Sequence, residues 1–167
     1  SYLKEQGYEI DIVGITSDGK VDLEELKRLI RDDTILVSVC YIDSEVGNIQ
    51  PIKEIAELVS KYPKCFLHVD ATQAIGKTEV DFNGVDLISF SPHKFYGLNG
   101  FGGLIKKKDI VLEPLINGGT STTIYRSGTP VVGQICALEK ALELAFDNFK
   151  ERYNYVTNLN EKLRNKL

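Results

Sequence analysis

Methionine and tryptophan are absent from this 167-residue sequence, and cysteine and histidine are scarce. Translation starts with methionine, so its absence leads us to expect an internal fragment of a longer protein. The three cysteines, Cys40, Cys65 and Cys136, form no closely spaced pair, and the histidines, His68 and His93, lie far from any such pair. Zinc-binding motifs need those spacings, so no metal site is predicted. Isolated thiols, odd in number, indicate a reducing compartment, and we expect the cytoplasm.

Long apolar runs and an excess of basic residues are also lacking. No stretch approaches the roughly 18 apolar residues of a membrane span, which argues against an integral membrane protein. The 20 basic and 24 acidic residues leave a net charge of −4, whereas a nucleic-acid-binding domain needs a basic face. No repeat, linker or low-complexity segment divides the chain, so residues 1–167 are expected to form a single domain.

Apolar periodicity predicts the secondary structure. Short β-branched runs predict buried strands, and apolar residues at three- and four-residue spacing predict helices with one inward face. The predicted strands cover residues 8–13, 34–41, 65–69, 85–90 and 101–106, and the predicted helices begin near Asp22 and Pro51 and cover about 132–149 and 151–167. Strand 34–41 is apolar enough to predict cover on both of its faces. Helices alternating with buried strands indicate an α/β fold with a mostly parallel sheet.

Three polar groups follow predicted strands directly: residues 43–45, Asp70 with Gln73, and residues 91–94. Ligands of parallel sheets bind where the carboxyl ends of the strands meet, so this edge is the predicted site. A lysine in this position, such as Lys94, has a particular use. Its amine, when desolvated in a cleft, loses a proton more readily and can form a Schiff base with an aldehyde.

If that aldehyde is pyridoxal phosphate, the site also needs an acid beside the pyridine nitrogen and donors for the phosphate. Asp70 is a candidate for the acid and Ser91 for a phosphate donor. His68 and Asp70 are two residues apart in a strand, so they project from the same face. Each residue also has an ordinary explanation, since an aspartate after a strand often only caps a helix and a single lysine is by default a surface residue. Taken one at a time, these residues assign no function.

Taken together, the motifs resemble the cofactor region of cysteine desulfurases, which belong to the class V aminotransferase group of fold-type I pyridoxal-phosphate enzymes. The resemblance rests on segments that occur in order, at residues 45–47 with 50–52, 68–74 (HVDATQA), 86–97 (DLISFSPHKFYG) and 126–130 (RSGTP). It implies part of a three-layer α/β/α large domain with a mostly parallel sheet. The helices from about residue 132 would lead toward a small domain.

The resemblance implies a role for each matching residue. Lys94 would bind pyridoxal 5'-phosphate covalently. Asp70 would pair with the pyridine nitrogen, and Gln73 with the phenolic oxygen of the ring. Ser91 and His93 would help to hold the phosphate.

Other positions extend or depart from the family pattern. Thr129 matches a residue that reaches the phosphate of the neighbouring subunit, which implies a homodimer. Ser44 stands where the family usually has asparagine, and because serine is shorter its contact with the cofactor is expected to be weaker or to pass through water. Pro92 replaces a glycine, a change that related enzymes tolerate. A phosphate loop and a histidine stacked on the ring are expected before Ser1, and a substrate-carboxylate arginine after Leu167.

None of the three cysteines matches the family's sulfur-accepting nucleophile. Cys40 falls inside an apolar strand, Cys65 opens another, and Cys136 lies on a predicted helix among apolar residues. We expect all three to be buried and inert, since buried thiols behave as small hydrophobic groups. The nucleophile would then lie beyond Leu167, and this polypeptide alone is expected to have no desulfurase turnover.

The implied activity is removal of sulfur from L-cysteine, which leaves L-alanine and passes the sulfur to an enzyme cysteine. A sulfur-acceptor protein would receive it for iron–sulfur cluster or thio-cofactor synthesis. A selenocysteine lyase or a small-amino-acid aminotransferase of the same group is an alternative. A non-catalytic scaffold that binds a partner protein is an alternative of a different class.

Overall fold

The computed structural model describes residues 2–119 and 123–167. Four strands make up its sheet: β1 (Leu36–Cys40), β2 (Phe66–Asp70), β3 (Leu87–Phe90) and β4 (Gly103–Lys106). The α-helices are α1 (Tyr2–Glu5), α2 (Leu23–Leu29), α3 (Ile52–Val59), α4 (Val132–Phe146) and α5 (Phe149–Arg164), and a short 3₁₀ helix covers Pro92–Phe95. The predicted helices and the last four predicted strands are thereby confirmed, with ends shifted by a few residues.

The strands lie in the order β1-β2-β3-β4. The β1–β2 and β2–β3 pairs are parallel, and β4 runs antiparallel to β3. Parallel neighbours need a crossover connection, which α3 provides between β1 and β2. The predicted α/β fold with a mostly parallel sheet is confirmed, including the hairpin-like position of the last strand.

The core lies between one face of the sheet and α3. Leu67 and Val69 of β2 are fully buried. They lie with the inward residues of α3, which follow helical spacing: Ile52, Ile55, Ala56 and Val59. Pro51 precedes the helix, where its fixed backbone angle is tolerated. This packing fixes β2 at the centre of the sheet and directs its carboxyl end toward the predicted site.

The opposite face of the sheet is only partly covered in the described part of the chain. Leu36, Phe66 and Leu104 are 46%, 40% and 53% exposed. β1 is also an edge strand, and alternate residues along it are exposed. The expectation that this strand is covered on both faces is therefore wrong for the residues described.

The strand predicted at residues 8–13 is also wrong, because this segment has no regular secondary structure. Ile12 is 86% exposed and Tyr8 is 51% exposed. Ion pairs hold the segment instead, since Arg31 contacts Glu9 at 3.2 Å and Asp11 at 3.0 Å. An alternating pattern makes a strand only where a partner strand is available to accept its hydrogen bonds.

The two C-terminal helices bury little surface. In α4, Ala141 and Ala145 are buried, whereas Ile135, expected on the inward face, is 53% exposed. α5 buries none of its residues. Among the described residues, no helix has the length and apolar character required to cross a membrane.

Candidate active site

A groove of about 480 Å³ opens at the carboxyl ends of β1 and β2. Four predicted site residues line it together: Ser44, Asp70, Gln73 and Lys94. The other lining residues are Cys40, Ile42, Asp43, Glu45 and Thr72. The topology explains this meeting, because β1 and β2 are parallel and the chain leaves both at the same edge.

Asp70 is the last residue of β2 and is held by strands on both sides. It lies beside Cys40 of β1 and Ser89 of β3 in the sheet register. Its backbone carbonyl accepts a hydrogen bond from the Tyr41 amide at 2.8 Å, and its Oδ1 accepts one from the Thr72 amide at 2.9 Å. The carboxylate therefore has a fixed position, and its Oδ2 has no protein partner among the hydrogen bonds of the described chain.

Lys94 lies in the 3₁₀ helix that follows β3. The turn is anchored by Phe95, which is 2% exposed and whose ring centroid lies 6.1 Å from that of Phe90. The Lys94 amide donates to the Ser91 carbonyl at 3.1 Å. The backbone of Lys94 is thus fixed by a buried neighbour, while its side chain remains exposed in the groove.

Gln73 lies in a series of turns that continues from the end of β2. Backbone hydrogen bonds of helical type, such as Ile75 to Ala71 at 3.1 Å, bring residues four apart to the same side. Lys77 Nζ donates to Gln73 Oε1 at 2.5 Å. Lys77 is exposed, and its partial burial, and then the positive charge of Lys94, lower its pKa. Sequence reasoning missed Lys77, because its four-residue spacing from Gln73 is informative only where the segment is known to turn in a helical manner.

The loop after β1 supplies an acidic rim to the groove. Asp43 Oδ1 accepts hydrogen bonds from the amides of Val46 at 2.8 Å and Glu45 at 2.9 Å, and these bonds lower the pKa of Asp43. Ser44 is exposed in this loop, and its hydroxyl contacts Glu45 Oε1 at 3.4 Å. Sequence reasoning grouped residues 43–45 at this edge but singled out only Ser44.

A row of hydrogen bonds crosses the sheet below the groove. His68 Nδ1 lies 2.8 Å from Ser38 Oγ, and His68 Nε2 lies 3.0 Å from Ser89 Oγ. Burial lowers the pKa of His68, and the charge of Asp70 opposes that effect. The row connects β1, β2 and β3 two residues before Asp70.

The structure corrects the expectation that all three cysteines are buried. Cys65 is buried, but Cys40 and Cys136 are exposed. Cys40 ends an edge strand and lines the groove. Partial burial, followed by the charges of Asp43 and Asp70, raises the pKa of the Cys40 thiol. This thiol is therefore kept protonated and is a weak nucleophile.

Three predicted phosphate ligands are not among the residues that line the groove. Ser91 is half-buried, whereas His93 and Thr129 are exposed. Ser91 and His93 flank the start of the turn that carries Lys94. Their contacts with a phosphate, and that of Thr129 with a neighbouring subunit, stay predictions.

The groups in the groove fit pyridoxal phosphate. An amine (Lys94), a carboxylate (Asp70) and an amide (Gln73) line one cavity, and these suit its aldehyde, pyridine nitrogen and phenolic oxygen. Over residues 2–119 and 123–167, no group of three or more His, Cys, Asp or Glu side chains is arranged to hold a metal ion.

Comparison with known proteins finds one family along the chain, described as aminotransferase class-V, which matches residues 2–167. A relative named cysteine desulfurase IscS, from Clostridium botulinum, is 39% identical over 164 residues, which cover 97% of this chain and 41% of the relative. A solved structure titled as a NifS-like protein matches with a TM-score of 0.93 and 38% identity, over 98% of this chain and 46% of that one.

A more distant structure is titled as SspA in complex with cysteine. It matches with a TM-score of 0.79 and 29% identity, over 85% of this chain and 42% of that one. The chain spans less than half the length of each of these proteins, and 41% of that of the cysteine desulfurase from Clostridium botulinum.

Proposed function

Because the chain belongs to the class-V aminotransferase family, whose members depend on pyridoxal 5'-phosphate, we propose that it forms the cofactor-binding part of a cysteine desulfurase. One observation carries the proposal: Lys94, Asp70 and Gln73 line a single groove at the carboxyl ends of the parallel strands. The relatives named cysteine desulfurase favour L-cysteine as the substrate, with L-alanine as the product. The cysteine complex of a related structure supports the same substrate.

Bound at this groove, pyridoxal phosphate supplies a ring that accepts electrons from the substrate α-carbon. In the proposal, Lys94 binds the cofactor and later moves a proton at the substrate α-carbon. The Asp70 carboxylate, already held by the Thr72 amide, keeps a proton on the pyridine nitrogen. Gln73 orients the ring through its phenolic oxygen, and Ser44 makes a weaker contact from the exposed loop after β1.

The remaining assignments belong to the same proposal. Ser91 and His93 hold the phosphate, and Thr129 reaches the phosphate of a second subunit in a homodimer. A sulfur-acceptor protein takes the sulfur from an enzyme cysteine for iron–sulfur cluster or thio-cofactor synthesis. The residues after about 132 lead to a small domain. Free thiols at three positions favour the reducing cytoplasm.

Covalent trapping tests the assignment of Lys94. The full-length protein is incubated with pyridoxal phosphate, reduced with borohydride, digested and mapped by mass spectrometry. We expect a phosphopyridoxyl group on Lys94 and none there in a Lys94→Ala variant, which should also lose the visible absorption of the bound cofactor. A label on Lys77 instead would refute the assignment, because the Lys77 amine contacts Gln73, which lines the groove.

The products then test the reaction. With L-cysteine and a thiol reductant, the full-length protein should release alanine and sulfide in equal amounts. Transfer of the amino group to a keto acid without sulfide would instead favour the aminotransferase alternative. If no lysine takes the label, a non-catalytic scaffold would be favoured.

A further inference from the structure

The Lys77 side chain donates a hydrogen bond to Gln73, and it makes no other among the residues that the structure describes. The donor is an ammonium, which carries hydrogens and no acceptor, so the atom that faces it must be the amide oxygen of Gln73. The Nζ–Oε1 distance of 2.5 Å places the two atoms in direct contact, and the ionised donor makes the hydrogen bond charge-assisted. The orientation of the Gln73 amide is therefore determined by Lys77.

This orientation leaves a defined group for the groove. Gln73 lines the groove beside Asp70 and Lys94. With Oε1 occupied by Lys77, the Nε2 hydrogens of Gln73 remain to serve a ligand there. An amide fixed in this way acts as a donor, and it suits an anionic oxygen rather than a hydroxyl that must donate.

We propose that Lys77 is a positioning residue for the cofactor, which fixes Gln73 as a hydrogen-bond donor to the phenolic oxygen of pyridoxal phosphate. The inference rests on the proposed function, because it takes Gln73 to face that oxygen. Lys77 itself need not touch the cofactor. Its contribution passes through the Gln73 amide, which would otherwise be free to rotate and to present either its oxygen or its nitrogen.

Lys77 also acts on Lys94 through its charge, and this effect has to be separated from its effect on the orientation of Gln73. Lys77 is close enough to Lys94 for the charge of Lys94 to lower the pKa of Lys77. Removing the Lys77 charge therefore also changes the electrostatic field at Lys94, with or without Gln73. Only a comparison in the presence and absence of the Gln73 side chain distinguishes positioning from direct repulsion.

The test uses the full-length protein and four variants: Lys77→Met, Lys77→Arg, Gln73→Ala and the Lys77→Met/Gln73→Ala double variant. Two quantities are measured by visible absorption, the affinity for added pyridoxal phosphate and the pH midpoint of the absorption change of the bound cofactor. Lys61→Met is the matched control, because Lys61 is exposed and precedes the amino end of β2, whereas the groove lies at the carboxyl ends of the strands. Lys77→Gln replaces the methionine variant if that one does not fold.

We expect Lys77→Met to weaken cofactor binding about tenfold or more, the lower end of the range for a lost hydrogen bond to a charged group. The pH midpoint should rise, because a donor to the phenolic oxygen and a nearby positive charge are both lost. Lys77→Arg should preserve most of the affinity, and Lys61→Met should change neither quantity. In the Gln73→Ala background, Lys77→Met should have little further effect on affinity.

An equal loss of affinity from Lys77→Met with and without the Gln73 side chain would overturn the proposal and leave direct repulsion between the two lysines. Unchanged affinity in Lys77→Met would overturn it as well. Failure of the unmodified protein to bind the cofactor would instead refute the proposed function itself, and this inference with it. The two failures are therefore distinguishable.

Discussion

Replacing Gly103 by alanine tests how the strand before Lys94 is held in place. Gly103 of β4 pairs with Phe90 of β3. A Cβ added at Gly103 would overlap Cζ and Cε1 of the Phe90 ring and lie 2.8 Å from its Cε2. The ring has little room to move, because Phe90 is 7% exposed and Phe95, its neighbour, is 2% exposed. Overpacking of this kind costs roughly 1–3 kcal/mol.

Gly102→Ala is the matched control for this substitution. Its added Cβ would lie 3.4 Å from the Phe90 carbonyl oxygen, at the edge of ordinary contact. Both changes restrict the unfolded chain by the same amount, so the difference between them isolates the clash with the ring. We expect Gly103→Ala to be less stable than Gly102→Ala by about 1–3 kcal/mol.

The assay is urea unfolding of the full-length protein without cofactor, followed by circular dichroism. Gly103→Ala should also bind pyridoxal phosphate more weakly, because a displaced Phe90 ring disturbs Phe95 and the turn that carries Lys94. Equal unfolding midpoints for the two variants, with equal cofactor affinity, would show that the Phe90 ring does not fix this turn.

Two further predictions concern the groove and the sheet below it. Asp70→Ala should retain some cofactor but slow exchange of the substrate α-hydrogen with solvent by orders of magnitude, as followed by NMR; near-normal exchange would show that another group keeps the proton on the ring. Burial lowers the pKa of His68 in the folded protein below its ordinary value of 6.5. As the pH falls, His68 is therefore protonated first in the unfolded chain, and the free energy of unfolding decreases. His68→Gln should flatten this decrease below about pH 6.5 in urea unfolding, and an unchanged pH dependence would assign it to other groups.

Most helices and strands could be predicted from the sequence, because the apolar residues of each segment are the ones that the fold buries. The run 65–69 is mostly apolar and lies inside the sheet, and the helix after Pro51 buries the face that its spacing predicts. The segment 8–13 has the same local appearance as a strand. Whether it pairs depends on a partner elsewhere in the chain, which a local pattern does not specify.

The site was predictable to the same extent. Parallel strands bring their carboxyl ends together, so Asp70 and Lys94 could be expected at one edge. The exposure of Cys40 could not be predicted from the sequence, because it depends on the position of β1 at the edge of the sheet, with one face partly uncovered. The bond between Lys77 and Gln73 required the turn geometry after β2, where the sequence alone left open whether residues four apart meet.

A crystal structure of the full-length protein with pyridoxal phosphate tests the central claim most directly. We expect continuous electron density between Lys94 Nζ and the cofactor, with the pyridine nitrogen at hydrogen-bond distance from the Asp70 carboxylate, roughly 2.7–3.2 Å. Cofactor bound elsewhere, or a ring whose nitrogen faces away from Asp70, would contradict the account.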